Sequence, residues 1–317
     1  MKYGECDDAI GAGIFSGRYT STIVAAGAVA KKVLAACGID VVGYIREAAG
    51  VRAGEFSAAE AKKKVAAFKA MRAKYDHIYR EIFAPKKITP DMRFLEKAAV
   101  LAELEKKIPD LKPPVLDLKA VRKEFGVHPY INCPDVEAAE EMYRKILEIR
   151  DAGDSSGGVV EVVATGVPVG VGEPVFRKLD GEVGRMLSVG AVKAVEVGDG
   201  TAVKDMTGSQ VNDQMRARGG RVIHTSNHAG GMYGGLASGE PIVVRLTVKP
   251  TPTIAKPQQT IDKLTRTNKA LAAVTRRDPT IVPRIWPVAE GFLAILLLDA
   301  YLQHLGYQAL RAKIHPK

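Results

Sequence analysis

Cationic and hydroxyl side chains are concentrated in two stretches near the end of the sequence. Lys249 and Thr253 lie four residues apart in KPTPT, so an ammonium group and a hydroxyl could flank one phosphate. The stretch RRDPTIVPR (276–284) places three guanidinium groups and one carboxylate together, and its prolines predict an irregular backbone. Both stretches suit a small molecule with several negative charges. Solvated side chains and a surface salt-bridge network are the plainer alternatives.

Two other stretches favour close approach of a ligand to the backbone. NHAGGMYGG (227–235) is dense in glycine, which would let backbone amides turn toward a flat or anionic ligand. A tight hairpin is the alternative. Ser16, Gly17 and Arg18 directly precede the first predicted helix, where they could bind an anion or simply cap the helix. The spacing of residues specifies no nucleotide fingerprint and no catalytic triad.

The elements that must position these residues are predicted from apolar periodicity and from helix stop signals. The helices are expected at 20–37, near 57–83, at 90–108, from the Asp135 cap to about Ile149, around 173–187 and at 288–305. A strand is expected at 39–45, and strands with glycine turns fill 154–255, including a half-buried strand around 159–164. Antiparallel strands interleaved with long helices favour an α+β fold.

Composition places the chain among globular proteins, with 46% hydrophobic and 26% charged residues. The three cysteines are widely spaced and form no metal-binding or disulfide pattern, which favours a reducing cytoplasm. The most apolar run, GFLAILLL (291–298), is far shorter than the roughly 20 residues that span a bilayer. It is predicted to be a buried core helix, and no membrane partner is expected.

Positive charge is concentrated in one segment. The chain carries a formal charge of +10, and residues 51–127 contain 18 Lys and Arg against 11 Asp and Glu. The lysines of 62–74 follow a helical period, which is typical of a solvated amphipathic helix. RNA binding through the helices at 57–107 is the alternative, and it predicts affinity that falls steeply with salt.

Taken together, several stretches of the sequence resemble the chorismate synthase family. They are FSGRYTSTIVAAGAVAKKVL (15–34), CPDVEAAEEM (133–142), GDSSGGVVEVVATGVPVGVGEPVFRKLD (153–180), SVGAVKAVEVGDG (188–200), GSQVND (208–213), SNHAGGMYGGLASGEPI (226–242), KPTPTIAKPQ (249–258) and RRDPTIVPR (276–284). They occur in the family's order.

The resemblance implies an α+β sandwich of helices between antiparallel β-sheets and a carbon–oxygen lyase of the shikimate pathway. In that family, phosphate leaves 5-enolpyruvylshikimate 3-phosphate by a 1,4-anti elimination that gives chorismate. The reaction requires reduced FMN although it is redox-neutral overall, and NAD(P)H is needed only if the protein itself reduces the flavin. A cytoplasmic homotetramer that acts on a small molecule, without nucleic acid, is expected.

The resemblance also assigns roles to particular positions. The implied FMN-binding residues are Ser16, Gly17, Arg18, Gly234, Gly235, Lys249 and Thr253, of which Lys249 and Thr253 match the pair at the FMN phosphate. The implied substrate-binding residues are Arg18, Arg276, Asn212 and Asp213. The implied catalytic residues are Arg276 and Asp278, with Asp278 near flavin N5. No metal is expected.

The front of the chain departs from the family. In the family, the residues that match KYG of the opening MKYGECDDAIGAG directly follow a His-Ala-Asp motif, and a Gly-Glu-Ser-His-Gly motif comes earlier still. Both histidine motifs are absent here, and none of the six histidines has an equivalent context. Each missing acid would cost roughly 10²–10⁴-fold in rate. We therefore expect a single, N-terminally truncated domain, the C-terminal three quarters of the family, with impaired activity.

Residues 51–127 exceed the short connection expected there and are interpreted as a helical, basic insertion. Arg277 also stands where the family commonly has histidine. The alternative to a lyase is a non-catalytic FMN-binding or assembly subunit derived from the family.

Overall fold

A computed structural model describes residues 17–82, 93, 95, 96, 99, 116–262, 264–271 and 278–315. The helices are α1 Thr20–Ala36, α2 Ala58–Ile82, α3 Leu118–Phe125, α4 Val136–Asp151, α5 Leu179–Gly184, α6 Gly208–Val211 and α7 Val282–Ile314. The strands are β1 Asp40–Ala48, β2 Val51–Arg52, β3 Gly158–Thr165, β4 Val192–Val197, β5 Met215–Arg218, β6 Arg221–His224, β7 Met232–Tyr233, β8 Leu236–Ala237, β9 Ile242–Val248, β10 Gln258–Ile261 and β11 Asn268–Leu271.

A five-stranded antiparallel sheet in the order β2-β1-β3-β9-β4 forms the centre of the molecule. Three two-stranded ribbons, β5–β6, β7–β8 and β10–β11, complete the strands of the described residues. The α+β class is therefore confirmed. Valine and isoleucine dominate the central strands because branched side chains pack well on a pleated surface.

Helices α1 and α7 pack against each other on one face of the sheet. Gly27 and Gly291 bring the two backbones together, since a Cβ on Gly27 would overlap Gly291. By length and composition alone α7 could cross a membrane, but half of its most apolar window is buried. The prediction of a core helix at 291–298 is confirmed, because α7 lies against α1, β1 and β3.

The other face of the sheet is covered by α2. Ala61 and Val65 of this helix are buried against Tyr44 and Val163. The strand β3 is consequently buried on both faces from Val160 to Ala164, whereas the sequence predicted one exposed face. The first part of 51–127 thus packs on the sheet through β2 and α2, and its status as an insertion stays a prediction.

Several predicted boundaries are confirmed, whereas those of the helix around 173–187 and of the helix at 288–305 are wrong, since the last helix spans Val282–Ile314. Helix α1 ends before Gly38, which has a φ of +79°, and Asp135 caps α4 by accepting the N–H of Ala138 at 3.1 Å. The helix predicted around 173–187 begins only at Leu179, and 3₁₀ geometry follows it. Most of the helix predicted at 90–108 lies outside the described residues.

Helix α7 starts at Val282, so the expectation that prolines keep 276–284 out of a helix is wrong for its last residues. Pro283 lies in the first turn of α7. Backbone N–H groups in a first turn have no carbonyl partner within the helix, so the missing N–H of proline costs no hydrogen bond there. Pro287 lies inside the helix, where it removes one internal hydrogen bond.

Candidate functional site

Three stretches that are far apart in sequence meet where β9 ends. Ser155 Oγ donates to the carbonyl oxygen of Thr251 at 2.7 Å, and Thr251 Oγ1 donates to the carbonyl oxygen of Asp278 at 3.0 Å. The N–H of Ser156 donates to the carbonyl oxygen of Pro279 at 2.8 Å. The structure therefore brings the KPTPT stretch next to the Asp278 stretch, and the 154–156 turn bridges them. We call this region the β9-exit site.

The polar side chains of the β9-exit site remain accessible. Lys249 is half-buried, and its Nζ donates one hydrogen bond, to the carbonyl oxygen of Pro250 at 3.1 Å. An ammonium group has three N–H donors, so this bond leaves capacity for an anion. Thr253 is exposed. Asp278 is half-buried, and its Oδ2 accepts a hydrogen bond from Arg284 Nη1 at 3.0 Å.

Glycine allows the close packing beneath this site. A Cβ on Gly157 would overlap the carbonyl oxygen of Val248, the residue directly before Lys249. The Ser-Gly-Gly turn at 156–158 therefore has a packing reason as well as any role in binding.

The start of α1 supplies the remaining N-terminal candidates. Gly17 is exposed and opens the 3₁₀ helix Gly17–Tyr19, with open space where a Cβ would stand. Arg18 is the next residue of that helix. Ser16 and Arg276 lie outside the described residues, as does Arg277.

The glycine-rich stretch and the Asn212–Asp213 pair lie at the other end of β9. The N–H of Val243, at the start of β9, donates to the carbonyl oxygen of Gly230 at 3.2 Å. At about 3.4 Å per residue, the six steps from Val243 to Lys249 separate the two ends by about 20 Å. Lys249, Thr253 and Asp278 thus lie at one end of β9, and the glycine-rich stretch with Asp213 lies at the other.

Asp213 is the centre of this second group. It is 4% exposed, and its two oxygens accept hydrogen bonds from the side chains of Ser226 and Tyr233 and the backbone of His228 and Ala229. Burial alone would raise the pKa of Asp213, but these four hydrogen bonds lower it to about 2. Asn212, in contrast, is exposed.

The backbone amides of the glycine-rich stretch point inward. His228 and Ala229 donate to Asp213, Gly230 donates to the carbonyl oxygen of Asn227, and Gly231 donates to Asn227 Oδ1 at 2.7 Å. The expectation that these amides turn toward a ligand is therefore wrong for residues 228–231.

The end of that stretch forms the tight hairpin that was the alternative prediction. Gly234 and Gly235 link β7 to β8 with φ values of +61° and +93°, which favour glycine. Open space faces Gly234, whereas Lys178 covers Gly235. Gly234 is thus the glycine that a flat ligand can approach.

The structure contains a cavity of about 420 Å³ on the α2 side of the sheet, which was not predicted from the sequence. Tyr44, Glu161 and Arg245 face one another across β1, β3 and β9, and Glu161 accepts hydrogen bonds from both neighbours. Burial, followed by the Glu161 charge, raises the pKa of Tyr44. In the sequence, this cluster is indicated only by a glutamate, Glu161, and an arginine, Arg245, within strands that are otherwise rich in valine.

Comparisons with known proteins converge on one family. The sequence profile of the family described as chorismate synthase matches residues 1–302. A chorismate synthase of Acetivibrio thermocellus is 39% identical over 319 aligned residues, which cover 100% of this chain and 66% of the relative. One of Methanococcoides burtonii is 37% identical and is matched over 94% of this chain and 65% of its own length. The chain therefore spans slightly less than two thirds of these relatives.

A solved structure titled as a chorismate synthase shares the fold. It superposes with a TM-score of 0.56 at 29% sequence identity, covering 92% of this chain and 65% of the other.

Proposed function

The chain belongs to the chorismate synthase family, and from this premise we propose that it eliminates phosphate from 5-enolpyruvylshikimate 3-phosphate to give chorismate. The observation that carries the proposal is the β9-exit site, where Lys249 and Thr253 lie beside the Asp278 stretch. The proposed substrate and an FMN together carry several negative charges, which a site with cationic and hydroxyl donors can bind.

The residues of the chain fit an FMN phosphate. Lys249 keeps N–H donors beyond its bond to Pro250, and the exposed Thr253 hydroxyl follows on the same extended segment. We propose that these two side chains hold the FMN phosphate and that Gly17, Arg18 and Gly234, with Ser16, border the flavin, while Gly235, which Lys178 covers, completes the turn that presents Gly234. Reduced FMN, when bound, supplies electron density to the substrate as phosphate leaves.

The chain's own residues would bind and orient the substrate. Arg276 and Arg18 are proposed to pair with its phosphate and carboxylates, because a guanidinium group binds such oxyanions in a bidentate manner. Asp278 is proposed to lie near flavin N5 as a catalytic residue. Arg284 orients the Asp278 carboxylate through the 3.0 Å bond to Oδ2. Asn212, which is exposed, is proposed to contact substrate at the rim.

Further properties are proposed from the family. We propose a cytoplasmic homotetramer, and a tetramer could place the glycine-rich stretch of one subunit near the β9-exit site of another. We also propose one domain over 1–317, with 51–127 as a helical, basic insertion. NAD(P)H would be required only if this protein reduces its own flavin.

The test measures FMN binding and phosphate release on the 317-residue chain. We expect FMN to bind and Lys249→Ala to weaken binding by about ten-fold or more, because a charge-assisted hydrogen bond is lost. Lys204→Ala is the matched control, since Lys204 is exposed and pairs with Asp205. Phosphate release from 5-enolpyruvylshikimate 3-phosphate with reduced FMN would support the lyase. FMN binding without release would favour the non-catalytic flavin-binding subunit, and neither activity would refute both.

A further inference from the structure

The carboxylate of Asp213 is fully occupied by one short segment of the chain. Oδ1 accepts hydrogen bonds from Ser226 Oγ at 2.6 Å and the His228 N–H at 2.7 Å. Oδ2 accepts from the Ala229 N–H at 3.0 Å and from Tyr233 Oη at 2.7 Å. A carboxylate offers about four acceptor positions, so these donors fill it. A substrate could bond to Asp213 only by displacing one of them.

The same segment is held from two other directions. His228 Nδ1 lies 2.6 Å from Asp199 Oδ2, and the N–H of Asp199 donates to the carbonyl oxygen of His228 at 3.0 Å. Asn227 bonds to the carbonyl oxygen of Pro241 and to the N–H of Gly231. The loop is therefore fixed in one conformation before any ligand arrives.

We infer that Asp213 is a positioning residue, which holds the loop 226–233 so that the hairpin glycine Gly234 presents an open face to the ligand, and that it does not itself bind substrate. This inference rests on the proposed function for the identity of that ligand, FMN. It replaces the substrate-binding role that the resemblance implied for Asp213.

The geometry explains why an aspartate is required. Two of its four donors are backbone N–H groups, which no substitution elsewhere can remove. Asparagine has the same shape, but on either side its NH₂ group would face one backbone N–H, of His228 or of Ala229, so that hydrogen bond would be replaced by repulsion, while the hydroxyl on that side can still accept. Buried hydrogen bonds to a charged group are among the more costly to lose.

The experiment compares amide hydrogen exchange at residues 228 and 229 with FMN affinity. In Asp213→Asn, we expect exchange at both amides to become about ten-fold faster or more, and FMN affinity to fall by a similar factor. Asp205→Asn is the matched control, because Asp205 is an exposed aspartate whose side chain accepts a bond from Lys204. The Asp205 variant should change neither quantity.

Variants of the donors separate positioning from substrate contact. Ser226→Ala and Tyr233→Phe each remove one donor to Asp213, so both should shift exchange and FMN affinity in the same direction as Asp213→Asn, by smaller factors. Ser226→Thr keeps the hydroxyl and should restore wild-type values.

Two outcomes would overturn the inference. One is unchanged exchange at residues 228 and 229 in Asp213→Asn, above all if only the KM for substrate rises. The other is faster exchange at these residues with FMN affinity at the wild-type value, which would mean that the loop conformation does not position the ligand. If the wild-type chain binds no FMN, the proposed function fails, and the exchange measurement still decides whether Asp213 holds the loop.

Discussion

Replacing His128 with asparagine should reduce the loss of stability that the chain undergoes between pH 7 and pH 5. The His128 side chain is buried, and its Nδ1 accepts the N–H groups of Tyr130 and Ile131 at 3.2 and 3.1 Å. Nδ1 must stay unprotonated to accept them. Burial lowers the pKa of His128 from 6.5 to about 4. Asparagine Oδ1 takes the place of Nδ1 and can accept from the same two amides, but it does not titrate.

The magnitude follows from the two pKa values. Between pH 6.5 and 4 the unfolded chain binds a proton at His128 and the folded chain does not, so the free energy of unfolding falls as the pH falls. Each pKa unit is worth about 1.4 kcal/mol, so the full loss is about 3 kcal/mol, and about 2 kcal/mol is lost between pH 7 and 5. Above pH 7 the effect is absent.

Urea denaturation at pH 7 and at pH 5 measures this loss directly. The wild-type chain should lose about 2 kcal/mol more than His128→Asn between the two pH values, because all other titrating groups are common to both proteins. His128→Asn also loses the packing of the imidazole against Tyr143. That loss lowers the free energy of unfolding of the variant equally at both pH values, so the difference in pH dependence between the two proteins is unaffected. Equal pH dependence in the two proteins would refute the reasoning.

Two further pairs of substitutions test the α1–α7 contact and the buried Glu161–Arg245 ion pair. Gly27→Ala should destabilise the fold by about 1–3 kcal/mol in urea denaturation, because its Cβ would overlap Gly291, whereas Gly306→Ala, in open space on α7, should stabilise it by up to about 1 kcal/mol. If Gly27→Ala leaves the free energy of unfolding unchanged, the two helices can move apart without cost, which would contradict this expectation. Glu161→Gln should cost about 3 kcal/mol by leaving the mostly buried Arg245 guanidinium without its counter-charge, and adding Arg245→Met should recover part of that loss, which a double-mutant cycle measures. No recovery in the double variant would contradict the role given to the ion pair.

Much of the fold and part of the site could be predicted from local sequence. The Asp135 cap, the Gly38 stop and the hairpin at Gly234–Gly235 are each specified by residues within a few positions, because caps and turns are local hydrogen-bond and backbone problems. The family, too, was identified from motifs that need no structure. The phosphate-binding role of the Lys249–Thr253 pair stays a prediction, made from their spacing and from the family resemblance.

Only the tertiary structure determines the contacts between residues that are far apart in sequence. Only the packing of α2 shows that β3 is buried on both faces, and only the fold brings Thr251 to Asp278. The amides of His228 and Ala229 turn inward because Asp213, 15 and 16 residues earlier, accepts their hydrogen bonds. Glycine permits many backbone conformations, so the partner that selects one of them must come from elsewhere in the chain.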